Sequence, residues 1–171
     1  TRTQEILQQD IERMNSAELA LKISEERYRM LVRQSSDSIG RLEINEPIDI
    51  TTDPDIQVHQ ILERARIAEC NDTAVRCYGA KDAQALIGRP LIKLTLSSKE
   101  RQHRVIAAFV KSGYRLTDFE AVDPAPRERI FVHNLFGAVE NGRLTGIWII
   151  ERELTEQRRM EQERQTFERR L

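Results

Sequence analysis

The chain has 171 residues, of which 39% are hydrophobic and 32% are charged, and its formal net charge at pH 7 is -1. This length fits one ordinary domain with extensions. The near-neutral charge gives no general attraction to nucleic acid, and no apolar run approaches the roughly 20 residues that span a bilayer. We therefore expect no nucleic-acid partner and no direct membrane contact.

The two cysteines, Cys70 and Cys77, are too few for a disulfide framework or a four-ligand zinc site. They fit a reducing compartment, and the sequence shows no signal peptide, so we expect a cytoplasmic protein. Because the chain begins at Thr1 rather than at Met, we also expect it to be a piece of a longer protein.

A single long helix is predicted for residues 3–34, because this stretch lacks Gly and Pro and is rich in helix formers. Glu18 and Glu25 interrupt an apolar seam of the kind that pairs helices in coiled coils. The seam comprises Leu7, Ile11, Met14, Leu21, Tyr28 and Val32. We favour a parallel dimer through the first half of this helix. The alternative is one amphipathic helix that packs on its own domain.

The polar segment Ser35–Ser38 ends this helix, and Ile39–Ile44 then alternates apolar and polar residues as a half-buried strand does. Residues 45–53 contain Pro47 with several Asp and Thr residues, which predicts an irregular loop. Apolar residues at helical spacing predict a helix over Pro54–Arg64.

The next predicted element is a short strand, Arg66–Glu69. Three helices are predicted after it: Asn71–Gly79, Asp82–Ile87 and Lys99–Ser112. Asn71 is a favourable N-cap, and Gly79 can adopt the positive φ that ends a helix. Ser97–Ser98 is expected to cap the last helix.

Three strands complete the predicted sheet: Tyr114–Val122, Arg129–Val139 and Leu144–Arg152. Pro124–Pro126 marks the first turn, and Asn141–Gly142 is a strong signal for a tight hairpin at the second. A highly charged helix starts near Thr155. Together these elements predict an α+β fold with a five-stranded antiparallel sheet.

The order of these features resembles PAS domains of bacterial signalling proteins such as sensor histidine kinases and diguanylate cyclases. Three segments carry the resemblance: Ser24–Val32 as the entry helix, Arg66–Ala80 with the Ile87–Pro90 break as the middle, and Glu151–Gln157 as the exit motif. The resemblance implies the PAS fold, with short helices on one face of the sheet. It divides the chain into an entry helix (1–34), a PAS core (35–152, with an insertion at about 45–65) and an exit helix (153–171).

In PAS domains the sheet and short helices enclose a pocket, and a ligand there shifts the flanking helices. The resemblance implies these pocket candidates: Asn71, Cys77, Tyr78, His133, Asn134, Ile147, Ile149 and Glu151. It implies signal-relay roles for Trp148, Glu153, Leu154 and Thr155, with Glu153–Thr155 in place of the family's usual Asp-Ile-Thr. The lining is mostly aliphatic, which favours a small apolar or amphipathic ligand, and we expect no tightly bound cofactor or metal.

Several of these residues have a structural alternative. Asn71 fits a helix cap, and Cys77 fits a packed thiol better than a flavin-reactive one, because the flavin motif is missing. One of His133 and Asn134 must face inward, for hydrogen bonding within the fold or for ligand recognition. Glu151 either contacts a ligand or pairs with a nearby Arg.

The implied function is a sensory module that acts as a homodimer on an effector domain in the same chain. One alternative is a ligand-free dimerisation or relay module. Another is a haem-based gas or redox sensor with His103 as the iron ligand, although an exposed helix histidine is the simpler interpretation. The sequence has no phosphate-binding Gly-rich loop, catalytic triad, phosphoacceptor box or cyclase motif, so any catalytic output is expected outside this chain.

Overall fold

The computed structural model describes residues 1–94, 98–124 and 127–171. The chain divides into two compact units, Thr1–Ser35 and Ser36–Leu171. The first unit is helix α1 (Arg2–Gln34), which confirms the predicted helix, and none of its residues, all of them described, is buried. Its first turn is fixed by a capping box in which the Thr1 hydroxyl accepts a hydrogen bond from the backbone N–H of Gln4 at 3.4 Å.

The second unit contains an antiparallel sheet built from five described strands: β1 (Ser38–Asp49), β2 (Arg66–Cys70), β3 (Arg115–Asp123), β4 (Arg129–Glu140) and β5 (Arg143–Glu153). The spatial order is β2-β1-β5-β4-β3, with β5 in the centre. The described helices of this unit are α2 (Pro54–Arg64), α3 (Asp72–Cys77), α4 (Lys99–Lys111) and α5 (Thr155–Arg170), with 3-10 turns at Ala83–Ala85 and Leu91–Lys93. The predicted α+β class and sheet are confirmed. No helix in the described ranges is long and apolar enough to cross a membrane.

The hairpin between β4 and β5 forms where Asn141 and Gly142 predict it. Both residues have positive φ, 51° and 73°, which suits a turn of the mirror-image type that matches strand twist. Glu140 pairs with Arg143 across this two-residue turn. The turn therefore sets the register in which β4 and β5 pair.

The predicted irregular loop at residues 45–53 is wrong for its first half, because β1 continues to Asp49. The strand bulges between Glu43, which pairs with Gly146, and Ile48, which pairs with Leu144. Pro47 lies within this bulge, where its missing N–H breaks no ladder hydrogen bond. Ile48 is fully buried, so the apolar contact it gains holds the continued strand against the core.

The predicted helix Asp82–Ile87 is also wrong, since only a 3-10 turn forms there. The Asp82 carboxylate accepts from the N–H of Ala85 at 2.9 Å and closes a single turn. Gly88 then donates its N–H to the carbonyl of Ile67 at 2.7 Å, which draws the chain back to β2 before a second turn can form. Two other predictions fall partly outside the described residues. They are the helix cap at Ser97 and the turn at Ala125 and Pro126.

The core lies between one face of the sheet and helices α2 and α4. The apolar face of α4 is buried there: Val105, Ile106, Phe109 and Val110. Ser98 begins this helix by accepting from the N–H of Arg101 at 3.0 Å. Cap and apolar face together fix the rotation of α4, and this rotation decides which of its polar residues point at the sheet.

Candidate functional site

Two small adjoining cavities lie between the sheet and the short helices, and five residues line both: Tyr78, Leu91, Leu94, Ile149 and Glu151. The first cavity, of about 30 Å³, is also lined by Arg101, Gln102 and His133, and we call it the polar lobe. The second, of about 20 Å³, is also lined by Ile67 and Leu86, and we call it the aliphatic lobe. Each lobe has room for roughly one or two water-sized groups.

A carboxylate on the central strand organises the polar lobe. The Tyr78 hydroxyl donates a hydrogen bond to Oε1 of Glu151 at 2.9 Å, and Nδ1 of His133 lies 3.8 Å from the same oxygen. His133 and Glu151 are directly paired across β4 and β5, which places both side chains on the inner face of the sheet. The strand register therefore brings these two groups together.

His133 is buried without a hydrogen-bond partner on either ring nitrogen among the described residues. Its side chain is 2% exposed, whereas that of Glu151 is 12% exposed. Buried polar groups in folded proteins are nearly always satisfied. The cavity beside this unsatisfied imidazole has room for a water molecule or a small ligand group that would complete its hydrogen bonds.

A second buried pair links α4 to the end of β3. Nη1 of Arg101 lies 2.8 Å from Oδ2 of Asp123, and both side chains are almost fully buried. Ser98 donates its hydroxyl to the same carboxylate, and the Arg101 guanidinium lies 3.8 Å from the ring centre of Phe131. Asp123 thus offsets part of the positive charge that Arg101 brings to the polar lobe.

Burial decides the protonation of the two neutral groups beside Glu151. Burial, together with the adjacent Glu151 charge, raises the pKa of Tyr78 well above its ordinary value, so the phenol stays a donor. Burial lowers the pKa of His133, although Glu151 opposes this effect. The imidazole is therefore neutral at pH 7 and offers one donor and one acceptor nitrogen.

The same strand continues from the cavity into the contacts that hold the exit helix. Glu153 forms a two-pronged ion pair with Arg129, at 3.1 and 3.0 Å, rather than capping backbone N–H groups of α5. The Thr155 hydroxyl donates to Glu153 and accepts from the N–H of Ile130, both at 3.0 Å. Leu154 donates its N–H to the carbonyl of Ile130 at 2.8 Å. These bonds join the start of α5 to β4.

Of the sequence candidates, four line the cavities: Tyr78, His133, Ile149 and Glu151. Ile147 is buried in the core on the same face of β5, whereas Trp148 and Ile150 lie half-buried on the opposite face. Side chains along β5 therefore alternate between the cavity face and the opposite face.

Asn71, Asn134 and Cys77 do not line either lobe. Asn71 caps α3 by accepting from the N–H of Ala74 at 2.9 Å, and it also bonds the backbone of β1 at Ile39. Asn134 faces away from the cavities and accepts from the N–H of Asp118 at 3.0 Å. Cys77 is half-buried, and burial raises the pKa of its thiol, which disfavours the reactive thiolate form.

His103 lies on the exposed face of α4 and does not reach the cavities. It lines an open groove with Lys99 and Phe119 instead. Among the described residues, no group of three or more His, Cys, Asp or Glu side chains could hold a metal ion. The structure gives no support to His103 as a haem ligand.

Sequence reasoning missed Arg101, Gln102 and Asp123. The helical period could have found the first two, because they lie one turn before Val105 and Ile106 on the same face of α4. Gln102 donates to the carbonyl of Leu91 at 2.8 Å and so closes the cavity wall. Nothing in the local sequence marks Asp123 as the partner of Arg101, since that pairing depends on the tertiary fold.

No protein-family model and no curated protein sequence matches the chain. Solved structures do match it. The PAS domain of a protein from Colwellia psychrerythraea aligns with a TM-score of 0.52 at 15% identity, over 78% of this chain and 98% of that one. An RNA-binding light-oxygen-voltage receptor aligns with a TM-score of 0.50 at 14% identity, over 84% of this chain and 36% of that one.

This chain has the PAS fold. The PAS domain of BvgS from Bordetella pertussis is a further match, with a TM-score of 0.49 and 17% identity over 87% of this chain and 98% of that one. At these identities the likeness is one of fold. The PAS fold supplies the context for the cavities, which lie between its central strand and its short helices.

Proposed function

We propose that this PAS domain is a sensory module that binds a small molecule in the cavities and relays binding to an effector domain in the same chain. The observation that supports this most directly lies on β5. Glu151 lines both cavities, and two residues later Glu153 bonds Arg129 and Thr155 at the start of α5. A ligand that displaces β5 at Glu151 would therefore act on the exit helix through a contact only two residues further along the strand.

The relay requires two arrangements of β5 with different ligand affinity, because a ligand shifts an equilibrium only by its preference for one state. Glu153, Leu154 and Thr155 are the proposed relay residues, since each bonds β4 or a side chain on it. Trp148 lies on the opposite face of the same strand. It is proposed to transmit the displacement of β5 to the group that packs on that face.

We also propose that the module works as a parallel homodimer. The predicted dimer residues are all exposed on α1: Leu7, Ile11, Met14, Leu21 and Tyr28. Helix α5 exposes a second apolar row, Met160, Phe167 and Leu171. Exposed apolar rows at coiled-coil spacing are stabilised when a second copy covers them. The proposed role is regulatory rather than catalytic, in the cytoplasm.

A ligand-free dimerisation or relay module is the second candidate. The observation that favours it is the size of the cavities, about 30 and 20 Å³, which is far below the roughly 300 Å³ of an ordinary ligand pocket. In that case the polar cluster would serve only to fix β5 against α4. Deletion of residues 1–24 would then abolish dimerisation, while cavity substitutions would leave the relay unchanged.

Native mass spectrometry of the purified chain, compared with its denatured mass, tests the proposal. The sensory module predicts a dimer that carries an additional non-covalent mass, and Glu151→Gln should reduce the occupancy of that mass. A dimer without added mass supports the second candidate. A monomer at micromolar concentration refutes the proposed homodimer.

A further inference from the structure

We propose that the cavities recognise a short aliphatic primary amine in its ammonium form. Glu151 and His133 would hold the charged end, and the aliphatic lobe would take the carbon chain. This inference rests on the proposed sensory function and specifies the chemical class of its ligand.

The charge balance of the polar lobe favours a cation. Arg101 is already paired with Asp123 at 2.8 Å, so Asp123 offsets much of the Arg101 charge. Among the described residues, no Lys or Arg side chain lies within ion-pair distance of Glu151, whose polar contacts are the Tyr78 hydroxyl and the edge of His133. One negative charge therefore remains uncompensated at the edge of an apolar cavity, where charge interactions are stronger than in water.

The hydrogen-bonding groups match the same ligand. An ammonium group has three N–H donors and no acceptor. The lobe offers the second oxygen of Glu151 and the acceptor nitrogen of neutral His133, neither of which has a hydrogen-bond partner among the described residues. A carboxylate ligand would be repelled by the negative charge of Glu151, and an alcohol would leave that charge uncompensated.

The position of the aliphatic lobe explains why the ligand would carry a carbon chain. Tyr78, Ile149 and Glu151 line both lobes, so the carboxylate lies where they adjoin. The lining of the second lobe is mostly aliphatic, although Ser38 and Cys70 also belong to it. Its large aliphatic residues are Leu42, Ile67, Leu86, Leu91, Leu94 and Ile149. A group anchored at Glu151 would therefore direct its carbon chain into this lobe, and the small volume limits that chain to a few carbons.

The test is a set of NMR titrations of the whole chain with three matched probes at constant ionic strength: n-butylammonium chloride, 1-butanol and sodium butyrate. We expect n-butylammonium to shift the amide signals of Tyr78, His133 and Glu151 saturably, with a Kd at least about tenfold lower than that of 1-butanol. Butyrate should leave these signals unchanged.

Glu151→Gln removes the charge but keeps an oxygen that can accept from Tyr78. This variant should bring the two Kd values within about twofold of each other, whereas the exposed control Glu140→Gln should keep the preference. The unchanged amide spectrum elsewhere shows that each variant is folded.

Equal binding of 1-butanol or butyrate at the same amides overturns the amine inference and leaves the sensory function standing. Absence of a response to all three probes also overturns it. The sensory function is then decided separately by the mass measurement, because a non-covalent mass other than an amine would retain it.

Discussion

Glu151 and His133 each lose hydration in the fold, and the described protein groups replace only part of it. Glu151 gains the Tyr78 hydroxyl, whereas His133 gains no hydrogen bond among the described residues. Unsatisfied buried groups of this kind cost about 1–3 kcal/mol each. Such a cost is typical of positions that serve binding rather than stability.

The buried imidazole predicts a pH dependence of folding. Burial lowers the pKa of His133 in the folded state below its ordinary value of 6.5, while Arg101, Asp123 and Glu151 face the ring. The unfolded chain then binds the proton more readily. The contribution of the neutral ring to stability is complete above the unfolded pKa and is lost as the pH falls towards the folded one.

Urea unfolding at about pH 7.5 and about pH 5.5 measures this effect. We expect the free energy of unfolding to decrease at the lower pH, and to decrease less in His133→Gln. His103→Gln is the matched control, because His103 is exposed on α4, and it should keep the full decrease. An equal pH dependence in both variants contradicts the burial argument.

Tyr78→Phe removes the phenol donor and leaves the Glu151 carboxylate with fewer partners. We expect the free energy of unfolding to fall by about 1–3 kcal/mol, because the acceptor that loses its partner is charged. The loss should be smaller in a Glu151→Gln background, where the acceptor is a neutral amide. Identical losses in both backgrounds would show that the hydroxyl does not act through Glu151.

At the level of single residues, the sequence predicted part of the candidate site. Alternation along β4 indicated that either His133 or Asn134 faces inward, but only the pairing of His133 with Glu151 across the strands decides which. The Arg101–Asp123 pair could not be predicted, since it joins α4 to β3 through the tertiary fold.

Among the elements, α1 exposes the largest number of large apolar side chains in the described part of the chain. Besides the predicted seam it exposes five further apolar side chains: Ile6, Leu19, Ile23, Met30 and Leu31. Most helical stability in proteins comes from packing of an apolar face, and a row of this length is best stabilised by a second helix. The predicted dimer therefore depends mainly on α1.

Ile11→Asp places a charge at the centre of the N-terminal seam. We expect it to shift the chain from dimer to monomer, raising the dimer dissociation constant by at least about tenfold, because a buried charge is costly in a helix interface. Gln9→Asp introduces the same charge on the opposite side of α1 and should leave the dimer intact. Analytical ultracentrifugation measures both, and equal dimerisation of the two variants contradicts a seam through Ile11.

The elements also show where local patterns mislead. Periodicity and end signals predicted α1, α4 and the β4–β5 hairpin. The continuation of β1 beyond Pro47 was missed, since a bulge removes the penalty that proline normally carries in a strand. The segment Asp82–Ile87 has helical composition, but its return to Ile67 leaves room for one 3-10 turn.

For the whole molecule, the position of β5 is the central feature. It lies in the middle of the sheet, lines both cavities through Ile149 and Glu151, and ends in the contacts of α5. The fold was predictable because independent sequence signals agreed in order and spacing. The cavities were not, because their walls come from α3, α4 and four strands.

The most direct measurement of coupling between cavity and exit helix is amide hydrogen exchange by NMR at Ile130 and Leu154 in Glu151→Gln. These amides bond the Thr155 hydroxyl and the Ile130 carbonyl. If the relay operates as proposed, exchange at both amides is faster by at least about threefold than in the unaltered chain and in the exposed control Glu140→Gln. Unchanged exchange at Ile130 and Leu154, with changes confined to Tyr78 and His133, would contradict the proposed relay.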